Sequence, residues 1–213
     1  MCSFDHLKFT PTAVSLTLNP CQLADNNLKI INNHPPNGVQ KEFGVCTKQL
    51  SYDNRSFTFK FVEWVHLLRI LGVEKIFGYN RFVHQDTTKA IKYFEDKGWV
   101  EMYPFLEPQG TVFELTSWPT RAIERVLLND CFYRNFNLFK YIAVIDPDEI
   151  LMPLKENITN YHDMIKSFPD HKQYDFFFFS YVYFSSNEND FFVQKIPAHH
   201  HMLRNVIVKN LLF

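Results

Sequence analysis

The chain is short of cysteine, of surplus charge and of long apolar runs, and each shortage excludes something. Four cysteines in 213 residues (Cys2, Cys21, Cys46 and Cys131) are too few and too scattered for a disulfide scaffold or a zinc knuckle. Lys and Arg number 22 against 23 Asp and Glu, a net charge of −1. That balance speaks against coating a nucleic acid, which needs a basic surface, and against a polybasic membrane surface. No stretch approaches the roughly 20 apolar residues that a membrane helix needs. The segment Met1–Thr12 lacks a basic stretch followed by an apolar core, so no secretory signal is expected in it. The apolar ending Val206–Phe213 reads equally well as a docked terminal strand or as a chain cut inside an element.

What is present suits a packed domain. Hydrophobic residues make up 46% and charged residues 21%, which allows a sizeable core and excludes general disorder. Aromatics reach 17%, with 23 Phe and 10 Tyr. The length suits one α/β domain, or two small ones. Residues 1–40 carry Pro11, Pro20, Pro35 and Pro36 with little periodicity, and read as an irregular lead-in that wraps the domain. From residue 41 to 213 the pattern is that of a single domain.

Within it, strands and helices alternate. Phe43–Thr47 is an apolar run of strand length. Phe61, Val65 and Leu68 then recur at helical spacing, with Asn54 or Ser56 as cap and Gly72 as stop. Val73–Tyr79 predicts a second strand. Asp86 or Thr87 opens a helix with Ala90, Ile91 and Phe94 on one face, closed by Lys97 and Gly98. Trp99–Tyr103 predicts a third strand, and a loop runs from Phe105 to Trp118. Pro119 suits the first turn of the next helix, which places Ile123, Val126, Leu127 and Cys131 on one side. Tyr141–Ile145 is wholly apolar, as a strand buried on both faces requires. This alternation implies a mostly parallel sheet covered by helices on both sides. Tyr174–Phe184 reads as a long aromatic strand whose alternate side chains are core, or else a stacking platform.

The strongest chemical signal is Asp146-Pro147-Asp148-Glu149, directly after the Tyr141–Ile145 strand. Open α/β sheets bind ligands at the carboxyl ends of their strands. Two carboxylates at i and i+2 around a stiff proline can aim oxygens at one point, as Mg²⁺ or Mn²⁺ requires when it is shared with phosphates. Unpaired, these acids repel one another, so a cation or a basic partner must offset them. An ordinary strand-ending turn has the same pattern. Upstream, Asp130 and Arg134 stand at i and i+4 and can pair on one helix face.

Taken in order, several segments resemble glycosyltransferase family 92. They are Phe43-Gly44-Val45-Cys46-Thr47-Lys48, Val62-Glu63-Trp64 with Gly72-Val73, Tyr79-Asn80, Asn129-Asp130-Cys131 with Tyr133-Arg134, and Ile145–Glu149 with Pro153. The resemblance runs from about Phe43 to about Val208. It implies a GT-A-like α/β/α sandwich that binds a nucleotide sugar. It also implies transfer of a hexose, galactose from UDP-galactose, onto a glycan hydroxyl with inversion. Asp146 and Asp148 would hold Mn²⁺ (or Mg²⁺) against the donor diphosphate. Cys46, Thr47, Lys48 and Asn80 would lie by the nucleotide, and Asp130 and Arg134 would shape its pocket. Glu188 and Asp190, beyond the aromatic strand, are candidates for the base that activates the acceptor. Glu149 is an alternative, as base or by orienting Asp148 or a water, and the base is left unassigned. The family implies a luminal, Golgi-located domain, with a membrane anchor that this chain does not contain.

Departures from the family pattern also stand out. Glu124 sits where a glutamine is expected, and Phe184-Ser185-Ser186 lacks the glycines expected there. The chain stops before a histidine-bearing stretch, and His199-His200-His201 is not in register to replace it. A non-catalytic or truncated member that keeps only the fold or nucleotide-sugar binding is therefore the alternative. A metal-dependent phosphodiesterase or phosphotransferase ranks below both, because such sites gather more Asp, Glu and His from separate strands. Asn54-Arg55-Ser56 and Asn157-Ile158-Thr159 fit the glycosylation pattern. Cys46 and Cys131 fall on buried elements and are expected to be free and packed.

Overall fold

The computed structural model describes residues 11–105, 118–153, 155–179 and 205–209. The lead-in holds two short paired strands, β1 (Ala13–Val14) and β2 (Leu28–Lys29), and is otherwise irregular. Its end is pinned to the domain by Asn33, which donates to the Tyr133 carbonyl at 2.7 Å and accepts from Asn137 at 2.9 Å.

The domain proper alternates as its periodicity demands. β3 (Lys41–Tyr52) is followed by α1 (Arg55–Ile70), β4 (Lys75–Val83), α2 (Gln85–Asp96), β5 (Val100–Pro104), α3 (Trp118–Asn135) and β6 (Phe139–Val144). After β6 come α4 (Tyr161–Lys166), β7 (Phe176–Phe179) and β8 (Asn205–Lys209). The sheet order is β5-β4-β3-β6-β8-β7. The first four strands are parallel, and β8 is antiparallel to both β6 and β7.

Helices cover both faces of this sheet. On one face Phe57, Phe61, Trp64, Val65 and Leu68 of α1 pack with Phe43, Val45 and Leu50 of β3, Ile76 of β4, and Ile91 and Phe94 of α2. On the other face Cys131 of α3 packs with Cys46, Phe77, Tyr79, Phe139 and Ile142. Burying each of these large apolar side chains contributes about 1.5–3 kcal/mol, so the α1 stripe by itself ties that helix to the sheet.

The helix ends follow local chemistry. The Asn54 side chain accepts from the Ser56 amide and caps α1, and Gly72 takes φ +96° just past its end, where a side chain would be strained. The cap of α2 is His84, whose ring accepts from the Asp86 amide, rather than Asp86 or Thr87. Asp86 instead sits in the first turn and pairs with Arg55 and Lys89. Val126 is 64% exposed, so the buried stripe of α3 passes through Cys131 without it. In β7 only alternate residues turn inward. Phe177 is 9% exposed, while Phe176 and Phe178 are each 54% exposed. The aromatic segment beyond Phe179 lies outside the described residues.

One correction concerns sulfur. Cys46 and Cys131 are not free; they form a disulfide between β3 and α3. Both side chains are fully buried on the face where α3 meets the sheet, so packing and bonding are served together.

Candidate active site

The strands bring five polar residues to the carboxyl edge of the sheet. β3 and β6 pair up to Cys46 and Val144. Lys48 and Asp146 each lie two residues beyond that couple, and so sit level with one another. Their side chains meet, with Lys48 Nζ 2.5 Å from Asp146 Oδ2. This is the basic partner that the cluster of carboxylates needed. Burial alone would lower the lysine pKa, but the Asp146 carboxylate outweighs it and holds Lys48 above the ordinary lysine range.

A bulge lies at this point of β3. Cys46 faces Phe77 of β4 and Gln49 faces Tyr79, so β3 carries one extra residue between them. Cys46 and Leu50, four apart, would share a face in a regular strand. Here Cys46 joins the α3-side core and Leu50 the α1-side core. Bulges re-aim side chains in this way beside functional sites. Thr47, within the bulge, is fully buried, and its hydroxyl has no hydrogen-bond partner. Its methyl leaves no room at Gly78, where an added Cβ would come within 2.8 Å of it.

The acidic segment folds into a tight turn. The Glu149 amide donates to the Asp146 carbonyl at 3.0 Å, and Glu149 Oε2 accepts from the Asp146 amide at 2.9 Å. Pro147 is buried and Asp148, at the apex, is exposed. From α1, Trp64 Nε1 donates to the Glu149 carbonyl at 2.8 Å. Tyr52, at the end of β3, stacks on Phe57 with ring centroids 3.8 Å apart. Burial pushes its phenol pKa up, the nearby Asp148 carboxylate pushes further, and Lys48 pulls the other way. Glu124 of α3 adds its negative field to both Lys48 and Tyr52. The site is therefore acidic on three sides and carries one ammonium.

Not every candidate joins it. Cys46 and Thr47 are buried at its floor. Asn80 lies in β4, opposite Leu50, and its carbonyl accepts from Phe105. Asp130 and Arg134 pair at 2.6 Å and form a second cluster with Tyr79, whose hydroxyl donates to Asp130 at 2.5 Å. Arg134 also lies over the Tyr103 ring at 5.1 Å. Asp130 is roughly 9 Å along α3 from Glu124, at 1.5 Å per residue. Glu188, Asp190 and His199-His200-His201 lie outside the described residues. Tyr52 and the indole of Trp64 are site components that sequence reasoning missed. Their signal was position only, since each follows or faces a strand end.

A cavity of about 690 Å³ opens at the opposite, amino edge of the sheet, between the lead-in and the starts of β3, β4 and β6. Of its cations, Lys75 and Arg134 are paired with Glu101 and Asp130, and Lys41 lies over the Phe139 ring at 5.9 Å.

Among the described residues no three His, Cys, Asp or Glu side chains form a group able to hold a metal alone. Asp146 and Asp148 still suit a divalent ion of the Mg²⁺ type, which takes one or two carboxylates and completes its shell with water and substrate phosphates. The donor set is hard oxygen, and one of the two carboxylates is exposed.

Four parallel strands between helices, with carboxylates at the carboxyl end of an inner strand, define an α/β fold of the class whose open sheets bind ligands at that edge. Residues 41–211 match the model of glycosyltransferase family 92, and the chain belongs to that family. A search of the curated proteins finds no match.

Proposed function

We propose that this glycosyltransferase domain moves a hexose, galactose from UDP-galactose, onto a glycan hydroxyl with inversion, and that it needs Mn²⁺ or Mg²⁺ to do so. The observation that carries this reading is the Asp146-Pro147-Asp148 turn, with Asp146 balanced by Lys48 and Asp148 exposed at the apex. Asp146 and Asp148 would hold the ion, which when bound neutralises charge on the departing diphosphate. Lys48 is a second positive group at the same edge, and an ammonium there suits a phosphate oxygen as well as a carboxylate. Tyr52 offers a hydroxyl within the field of Asp148. Glu149 has one carboxylate oxygen engaged by the Asp146 amide, which favours an orienting role over that of the acceptor base.

We also place the domain in the lumen of the secretory pathway, at the Golgi. The Cys46–Cys131 disulfide supports an oxidising compartment, where such bonds persist. No helix among the described residues is long and apolar enough to cross a membrane.

Isothermal titration with UDP, with and without Mn²⁺, tests the donor site. The expected outcome is tight binding only with Mn²⁺, lost in Asp148→Ala with the melting temperature kept. Equal UDP affinity in both conditions overturns the metal-dependent reading.

A further inference from the structure

We infer that Trp64 is a positioning residue for the acidic turn, acting from α1 through Glu149; this rests on the reading of that turn as the donor site. Trp64 is 4% exposed and packs beside Phe61 and Leu68, which by itself describes a core residue. A buried indole N–H must find an acceptor, however. It finds the Glu149 carbonyl at 2.8 Å, across 85 residues of chain. Both hydrogen bonds within the turn also pass through Glu149. Its amide holds the Asp146 carbonyl, and its carboxylate holds the Asp146 amide.

Asp146 is thus fixed on both sides of its backbone by one residue, and that residue hangs from a helix buried along one face. Pro147 restricts the backbone between the two aspartates by locking its own φ. The backbone that carries both carboxylates is therefore held before any ligand arrives, and Lys48 holds the Asp146 carboxylate as well. Such preorganisation raises affinity by cutting the ordering cost of binding. The arrangement also joins two separate segments on which the family resemblance rests, Val62–Trp64 and Ile145–Glu149.

Trp64→Phe keeps an aromatic ring in the core and deletes only the donor. Hydrogen exchange across Ile145–Leu151 in the metal-free full chain should then accelerate roughly fivefold, the weight of one hydrogen bond. The Kd for UDP with Mn²⁺ should rise by roughly five- to tenfold at temperatures well below melting. Ile91→Val, in α2 of the same core, lowers the melting temperature and leaves both readouts unchanged. Glu149→Ala should weaken binding further, and Glu149→Gln, which keeps an oxygen to accept from the Asp146 amide, should restore most of it. Unchanged exchange in Trp64→Phe, or an unchanged Kd alongside a lowered melting temperature, overturns the positioning role and leaves Trp64 as packing. If the parent protein does not bind UDP with Mn²⁺ at all, the donor-site reading fails, and exchange alone decides whether the indole holds the turn.

Discussion

Asp146 and Asp148 stand two residues apart and differ chemically. Asp146 is 18% exposed, ion-paired and backbone-anchored, whereas Asp148 stands at the apex of the turn in solvent. Removing them should have different costs. Asp146→Ala strands the Lys48 ammonium in a half-buried position and should cost roughly 1 kcal/mol, on the scale of a partly screened pair. Asp148→Ala should stay within about 0.5 kcal/mol of the parent, as exposed substitutions do. Urea unfolding measures both, and equal losses would mean that the Lys48 pair contributes nothing to the fold. That a cation or a basic group must offset these acids followed from charge alone. Which one did not, because Lys48 is remote in sequence and only the pairing of β3 with β6 sets it level with Asp146.

At the scale of elements, α3 is held to β3 by packing and by a covalent bond. The disulfide closes a loop with a sequence separation of 85 between β3 and α3. Chain entropy for a loop of that size sets a ceiling of about 4–5 kcal/mol on its contribution. Urea midpoints with and without reductant should separate accordingly, and because Cys46 lies two residues before Lys48, reduction should also weaken UDP binding. Coincident midpoints would show that the bond adds no stability. Sequence reasoning expected these cysteines to be free, since each sits on a buried element and nothing local brings their sulfurs together. The strands and helices themselves were legible from apolar spacing, as in the stripe Phe61, Val65 and Leu68 of α1. The miss at Val126 has a simple cause: α3 crosses only part of the sheet, and spacing does not say which part of an apolar face finds a partner.

Across the whole molecule, Glu42 links layers that local pattern keeps apart. Its carboxylate bonds Lys140 of β6 at 2.9 Å and His162 of α4 at 2.9 Å. Burial by itself would raise the Glu42 pKa, but the bonds from Lys140 and His162 outweigh it and hold it below the ordinary 4.5. A depressed carboxyl contributes stability above its unfolded pKa, and that contribution is lost as pH falls through the folded value. Glu42→Gln should therefore be less stable than the parent at pH 7 by under about 1 kcal/mol, and the two should converge once pH falls below the folded Glu42 pKa. Parallel stability–pH curves would deny the link. The luminal assignment has its own check. Asn157 is exposed in a turn, whereas the Asn54 side chain is engaged in capping α1. Peptide mass spectrometry of the protein from its native cells should find a glycan on Asn157, and unmodified Asn157 throughout would count against a luminal location. The alternation of strand and helix, the α1 cap and the acidic turn were readable from the chain, because each depends on residues within a few positions of one another. The order β5-β4-β3-β6-β8-β7, the Lys48–Asp146 pair, the Cys46–Cys131 bond and the Trp64–Glu149 tether were decided in three dimensions. They depend on which strands become neighbours and in what register, and short-range spacing carries no record of either.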